Sequence, residues 1–273
     1  MPDRENDDQQ PVSRAEYRSR RGSAVRDRLA RRAPAPVCRL LLPAHPRVPD
    51  GSELGSPFEL EDWEVELFDE ALAVDENGHR IYSFVVLVIP RKCGKTAIAA
   101  LVVLYLALPA DGEHRPEVIL AAGFLKQTAR LWESASAFIV DPKFGSPELP
   151  ELFLVMANAI KCPSVAGAIE RVVGDGDSNH SLDPHAVFAD ELHVRKTPKQ
   201  REDWRALTTA QGGRTDPLIP VISTEGDGDD NELALLLERI ESDESTERSG
   251  ARRSLDPLSP RQRARAALAR QAA

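Results

Sequence analysis

With 273 residues, 41% of them hydrophobic and 29% charged, the chain has room for one substantial domain with tails or for two small domains. A formal net charge of −9 rules out a global basic field that would hold nucleic acid passively, but not a machine that grips and releases it. The three cysteines (Cys38, Cys93, Cys162) are odd in number and lack metal-ligand spacing, which argues against a disulfide framework and for a reducing, cytoplasmic setting.

In chain order, residues 1–10 are polar and acidic, unlike a secretory leader. Residues 1–55 read as a disordered arm, with arginines and acids mixed and prolines recurring at Pro34, Pro36, Pro43, Pro46 and Pro49. The arginines between Arg14 and Arg32 are a possible nucleic-acid contact, although a solvated tail is the simpler reading. Residues 56–240 carry the folded pattern. Leu60, Trp63, Leu67 and Leu72 fall near helical spacing, so 60–73 is expected to be an amphipathic helix. Residues 81–89 (IYSFVVLVI) form a β-branched and aromatic run short enough to be a fully buried strand, ended by Pro90. A helix opens near Gly94, and its apolar run over 97–108 is too short to span a bilayer, so no membrane is expected as a partner.

Strands are expected at 117–122, 152–157, 169–173 and 218–223, and helices at 126–140, 201–210 and 233–240. Residues 185–189 are apolar and lead directly into two acids. Strands alternating with helices predict an α/β fold with a mostly parallel sheet flanked by helices on both faces. Residues 241–273 are charged and rich in Arg, Ser and Ala, and are expected to be a poorly structured or helical tail. There is no internal repeat.

Three stretches carry chemistry. Ile89-Pro-Arg-Lys-Cys-Gly-Lys-Thr96 follows the apolar strand and opens a helix, the setting a phosphate-binding loop requires. Gly94 allows close backbone approach, Lys95 suits the β- and γ-phosphates of a nucleotide, and the Thr96 hydroxyl suits Mg2+. Arg91 and Lys92 add positive charge beside the phosphates, and Cys93 completes the loop. The first glycine of the usual pattern is replaced by Ile89. Next, the strand running into Asp190 and Glu191 offers one carboxylate to the metal and a second to the attacking water. Asp190 would bind Mg2+ and Glu191 would act as general base. His193 either couples the γ-phosphate to movement or caps the next element. Last, the strand at 218–223 ends in Ser223 and Thr224. In a parallel sheet these hydroxyls face the same crevice and can sense the γ-phosphate.

Taken together, these residues resemble the large terminase subunit of tailed bacteriophages, the ATPase that drives DNA into proheads. The resemblance runs over about residues 57–238. Pro90-Arg-Lys-Cys-Gly-Lys-Thr96 is similar to that family's variant phosphate loop, and the resemblance implies that Arg91 contacts the nucleotide phosphates and assists catalysis. Asp190-Glu-Leu-His193 is similar to its acidic segment. Leu207-Thr-Thr-Ala-Gln-Gly-Gly-Arg214 with Ile222-Ser-Thr-Glu-Gly226 is similar to its coupling region, and residues 121–130 to the segment between the nucleotide motifs. The family usually reads Trp-Gln in the adenine-contacting helix. Here Trp63 is followed by Glu64, an acid without the amide donor.

The resemblance implies a P-loop fold of additional-strand (ASCE) type and an ATP- and Mg2+-dependent motor for DNA packaging in the host cytoplasm. It implies double-stranded DNA, a portal protein and a small terminase subunit as partners, and a homo-oligomeric ring. No acid-bearing sheet is legible after Gly226, so no nuclease activity is expected of this chain. Two alternatives stay open: a catalytically idle prophage remnant that binds DNA or a portal protein, and a DExH-type helicase fragment. Arg130, Arg171 and Arg214 are equally placed by sequence to reach a neighbour's nucleotide.

Overall fold

The protein is described by a computed structural model for residues 62–90, 94–108, 113–122, 125–141, 149–172, 182–224, 228, 230–244, 253–254 and 265–269. The arm expected over 1–55 and the loop residues Arg91, Lys92 and Cys93 lie outside these residues.

The apolar run before the phosphate loop forms Phe84–Val88 (β1), with Val85 to Val88 all buried. Branched side chains suit the pleat, and the lack of polar alternation matches burial on both faces. The chain then forms Glu117–Ala122 (β2), Leu154–Val155 (β3), Ala159–Cys162 (β4), Gly167–Val172 (β5), Ala186–Asp190 (β6), Ile219–Ser223 (β7), Arg253–Ser254 (β8) and Arg265–Ala269 (β9). Among the described residues these make one sheet in the order β3-β4-β5-β2-β6-β7-β1-β9-β8. The five central strands, β5-β2-β6-β7-β1, are parallel, and the pairings at both edges are antiparallel. The register sets Val88 beside Ser223, Ile222 beside Asp190, and Asp190 beside Ala122. The carboxyl ends of β1, β7, β6 and β2 therefore meet along one edge.

Helices cover both faces. On one lie Asp62–Ala71 (α1), Lys95–Leu106 (α2), Leu125–Val140 (α3) and Leu149–Leu152 (α4), whose side chains share a core with Leu87, Leu120 and Phe188. Every residue of α2 from Ala97 to Leu106 is buried, as expected of a helix apolar on all sides. Each of its fully buried Leu, Ile and Val side chains contributes about 1.5–3 kcal/mol. On the other face Pro198–Thr209 (α5) and Glu232–Glu244 (α6) bury Trp204, Leu207, Leu233, Leu236 and Ile240 against Val86, Val187 and Val221. Helix α5 starts at a capping box, in which Gln200 N donates to Thr197 Oγ1 (3.3 Å) and Thr197 N to Gln200 Oε1 (3.2 Å).

Two regions differ from the sequence reading. In place of one strand over 152–157, α4 ends at Leu152, and a hairpin follows with Val155 opposite Ile160. Within 241–273, read as poorly structured or helical, β9 pairs with β1 (Val86 opposite Ala267) and β8 with β9. That segment lacks strand periodicity. The open backbone groups on the outer edge of β1 supply the pairing instead.

Candidate active site

The site begins where β1 passes into α2. Gly94, the N-cap of α2, has φ 75° and ψ 5°, and no atom lies within 4 Å of where its Cβ would be. Glycine is therefore required for its left-handed backbone and not for space. The amides of Ala97 and Ile98 both donate to Gly94 O (3.0 and 3.2 Å), which closes the first turn. Lys95 and Thr96 sit at the head of this twelve-residue helix, where the aligned peptide dipoles place partial positive charge.

Opposite this turn, β6 ends in the acidic pair. Asp190 is the last residue of the strand, and Glu191 turns sharply out of it with φ 52° and ψ 51°. A glutamate in the left-handed region costs about 1–2 kcal/mol, so the surrounding structure must hold it there. It does so from β7, the strand between β6 and β1. Glu191 N donates to Ile222 O (2.9 Å), and on the far side Ile89 N donates to Ser223 O (3.0 Å).

The Glu191 carboxylate is engaged through both oxygens. Oε1 forms an ion pair with Lys95 Nζ. Oε2 accepts from Thr224 Oγ1 (3.0 Å) and Thr224 N (3.4 Å), and lies 3.1 Å from His193 Nδ1. His193 Nδ1 is also 2.9 Å from Ser223 Oγ, whose hydroxyl donates to Thr224 O (3.1 Å). Sequence placed Ser223 and Thr224 near a nucleotide. The structure sets Thr224 against Glu191 and Ser223 against His193, through contacts across strands that no local pattern announces.

Asp190 is largely buried. Burial pushes its carboxyl above the ordinary carboxylate range, while the charges of Lys95 and Arg130 pull in the opposite direction. Arg130 is exposed on α3, the helix that follows β2 at this same edge. Of the three arginines singled out by sequence, it is the one whose charge acts on the acidic pair. Arg171 lies over the Trp132 ring (4.5 Å) and donates to Ala157 O (3.0 Å). Arg214 is fixed at the opposite, amino-terminal edge. It donates to Asp183 O (2.8 and 2.6 Å), Glu113 Oε1 (2.8 Å) and His114 O (3.1 Å). Trp63 belongs to α1, but its side chain is outside the described residues; Glu64 is buried in the same helix.

Among the described residues, no three His, Cys, Asp or Glu side chains group to hold a metal, and no helix is long and apolar enough to cross a membrane. Thr96, at the head of α2, and Asp190, at the end of β6, carry oxygen donors of the kind Mg2+ takes, through one or two protein oxygens with water and phosphate supplying the rest.

The inserted β7, the left-handed glycine before Lys95-Thr96 and the acids ending β6 define a P-loop α/β fold of additional-strand type. No family model matches the sequence. The chain is similar to the large terminase subunit of Enterobacteria phage HK97, with 26% identity over 193 residues, covering 70% of this chain and 36% of the relative. It thus spans about a third of that protein's length. In fold it is similar to the crystal structure of the HK97 bacteriophage large terminase (TM-score 0.63, 21% identity, 75% of this chain and 40% of that one). It is also similar to the large terminase from a thermophilic bacteriophage (TM-score 0.51, 9% identity, 68% of this chain and 44% of that one). The likeness to phage large terminases read from the sequence holds in both comparisons.

Proposed function

We propose that this chain is a Mg2+-dependent ATPase of terminase type, whose hydrolysis drives double-stranded DNA in genome packaging. The observation that carries the reading is the meeting of Lys95 and Glu191. A cation at a helix head and a carboxylate two strands away converge on one edge through the inserted β7. A phosphate-transfer site needs a cation and a carboxylate together at such an edge.

In this reading the first-turn amides of α2 and the Lys95 ammonium bind and orient the β- and γ-phosphates. Arg91, Lys92 and Cys93 complete the loop, and Arg91 adds charge at the phosphates. Thr96 and Asp190 hold Mg2+, which when bound neutralises charge on the phosphate oxygens. Glu191 takes a proton from water as the water oxygen bonds to the γ-phosphorus. The bond from that phosphorus to the β–γ bridging oxygen breaks, and ADP leaves with the electron pair. Helix α1, which carries Trp63 and Glu64, is the proposed contact for the adenine. A portal protein, a small terminase subunit and further copies of the chain in a ring are the proposed partners, in the host cytoplasm.

The test is a titration of wild type and Lys95→Ala with ATP in Mg2+. Wild type is expected to bind and the variant to lose binding by orders of magnitude. Equal affinities would remove the phosphate loop from the site.

A further inference from the structure

We propose that Thr224, with His193 and Ser223, is a positioning device that anchors Oε2 of Glu191 and leaves Oε1 as the oxygen that receives the proton. The inference rests on the hydrolase reading above, but it gives the residues ending β7 a different task. They hold the base and do not read the phosphate.

The two carboxylate oxygens differ in their surroundings. Oε2 has three N–H or O–H groups within reach: Thr224 Oγ1 at 3.0 Å, Thr224 N at 3.4 Å and His193 Nδ1 at 3.1 Å. Oε1 faces the Lys95 ammonium. One tautomer satisfies the whole cluster. With the proton on Nδ1, His193 donates to Ser223 Oγ while lying 3.1 Å from Glu191 Oε2, and the Ser223 hydroxyl remains able to donate to Thr224 O at 3.1 Å. In the reading above Lys95 leaves Oε1 for the phosphates once nucleotide is bound, whereas Oε2 keeps its bonds from Thr224, so Oε1 is the oxygen left open to the water proton.

The backbone explains why such an anchor is needed. Glu191 sits in the left-handed region, and its long side chain would otherwise sample several rotamers. Thr224 is 5% exposed and follows β7 directly, so its hydroxyl is delivered by the strand wedged between the lysine and the acid. In the step itself the water O–H bond breaks and an O–H bond forms on Oε1. The water oxygen bonds to the γ-phosphorus, and the bond from phosphorus to the bridging oxygen breaks. The electron pair leaves with ADP, and the proton passes from Oε1 to solvent.

The experiment measures steady-state ATP hydrolysis and equilibrium ATP binding, both in Mg2+, for wild type, Thr224→Val, Thr224→Ser and Ser223→Ala. Valine keeps the volume and loses the donor, so kcat is expected to fall about 10- to 100-fold with KM changed by less than about twofold. Serine restores the hydroxyl and is expected to stay within about threefold of wild type. Ser223→Ala, which loosens His193 but leaves Thr224 in place, is expected to lower kcat by a smaller factor. Retained ATP binding reports that each variant is folded. A Thr224→Val protein with raised KM and normal kcat would make Thr224 a nucleotide contact and overturn the anchor. So would serine as impaired as valine, or valine equal to wild type. A wild type that neither binds nor turns over ATP overturns the hydrolase reading and the anchor with it. Wild-type turnover that valine leaves untouched overturns the anchor alone.

Discussion

Asp190 and Glu191 are adjacent in sequence, yet their carboxylates occupy different surroundings because the backbone changes from strand to left-handed between them. Asp190 stays in the strand, largely buried, under the charges of Lys95 and Arg130. Glu191 swings onto Lys95 and Thr224. The two amide substitutions are therefore expected to separate. Glu191→Gln keeps ATP binding and loses turnover by about 10²- to 10⁴-fold, the range for removal of a general base. Asp190→Asn raises the Mg2+ concentration needed for half-maximal turnover. Steady-state rates across a Mg2+ series distinguish them, and equal mild effects would reduce the pair to a solvated acidic turn.

His185, 1% exposed at the start of β6, should make the fold acid-sensitive in a defined window. Its Nδ1–H donates to Glu117 O (3.0 Å), and burial, followed by the charges of Arg80 and Arg214, lowers its pKa from 6.5 to about 4. The unfolded chain binds a proton near pH 6.5 and the folded one only near 4. This contribution to stability is therefore whole above 6.5 and is lost as the pH falls toward 4. It amounts to about 3 kcal/mol at most. Urea midpoints measured from pH 7 to pH 4.5 are expected to fall more steeply for wild type than for His185→Asn.

Gly167 opens β5 against the end of α2. A Cβ there would lie 2.8 Å from Ala107 O and 2.8 Å from Pro116 Cγ. The first of these is backbone and cannot swing aside, so Gly167→Ala is expected to cost about 1–3 kcal/mol, measured by urea unfolding. An unchanged midpoint would mean that β5 moves away from the helix easily.

Arg214→Met tests whether that arginine belongs to the fold or to hydrolysis. Its guanidinium joins the loops before β2 and β6, and its removal strands Glu113 Oε1 and two carbonyls. A stability loss of about 2–4 kcal/mol is expected. ATP turnover measured well below the melting temperature should be unchanged. A large fall in kcat with an unchanged melting temperature would assign Arg214 to the reaction.

The parallel core was legible because its signals are local. The valine run of β1 and the all-apolar α2 each announce burial within a dozen residues, and Gly94-Lys95-Thr96 marks the junction between them. The hairpin of β3 and β4 was not legible, because two and four residues are too few for periodicity to separate a strand from a turn. Strand β9 was missed for a different reason, since its pairing comes from the vacant edge of β1 and not from its own sequence. At the site, residue types could suggest phosphate and metal chemistry. They could not reveal that Thr224 meets Glu191, because that contact depends on β7 lying between β1 and β6.

The place of β1 in the sheet also governs how the chain can fold as it is synthesised. Among the described residues, β1 pairs only with β7 and β9, so Val86 waits for Val221 and Ala267. Until those residues emerge from the ribosome, Phe84–Val88 has no strand beside it, and α2 has no complete sheet to cover its apolar surface. Contacts this distant in sequence make for slow folding and a prolonged exposure of sticky surface. The nascent chain is therefore expected to depend on chaperones until β7 is released. It can gain nothing from nucleotide before that point, since the groups proposed to hold it are not assembled any earlier.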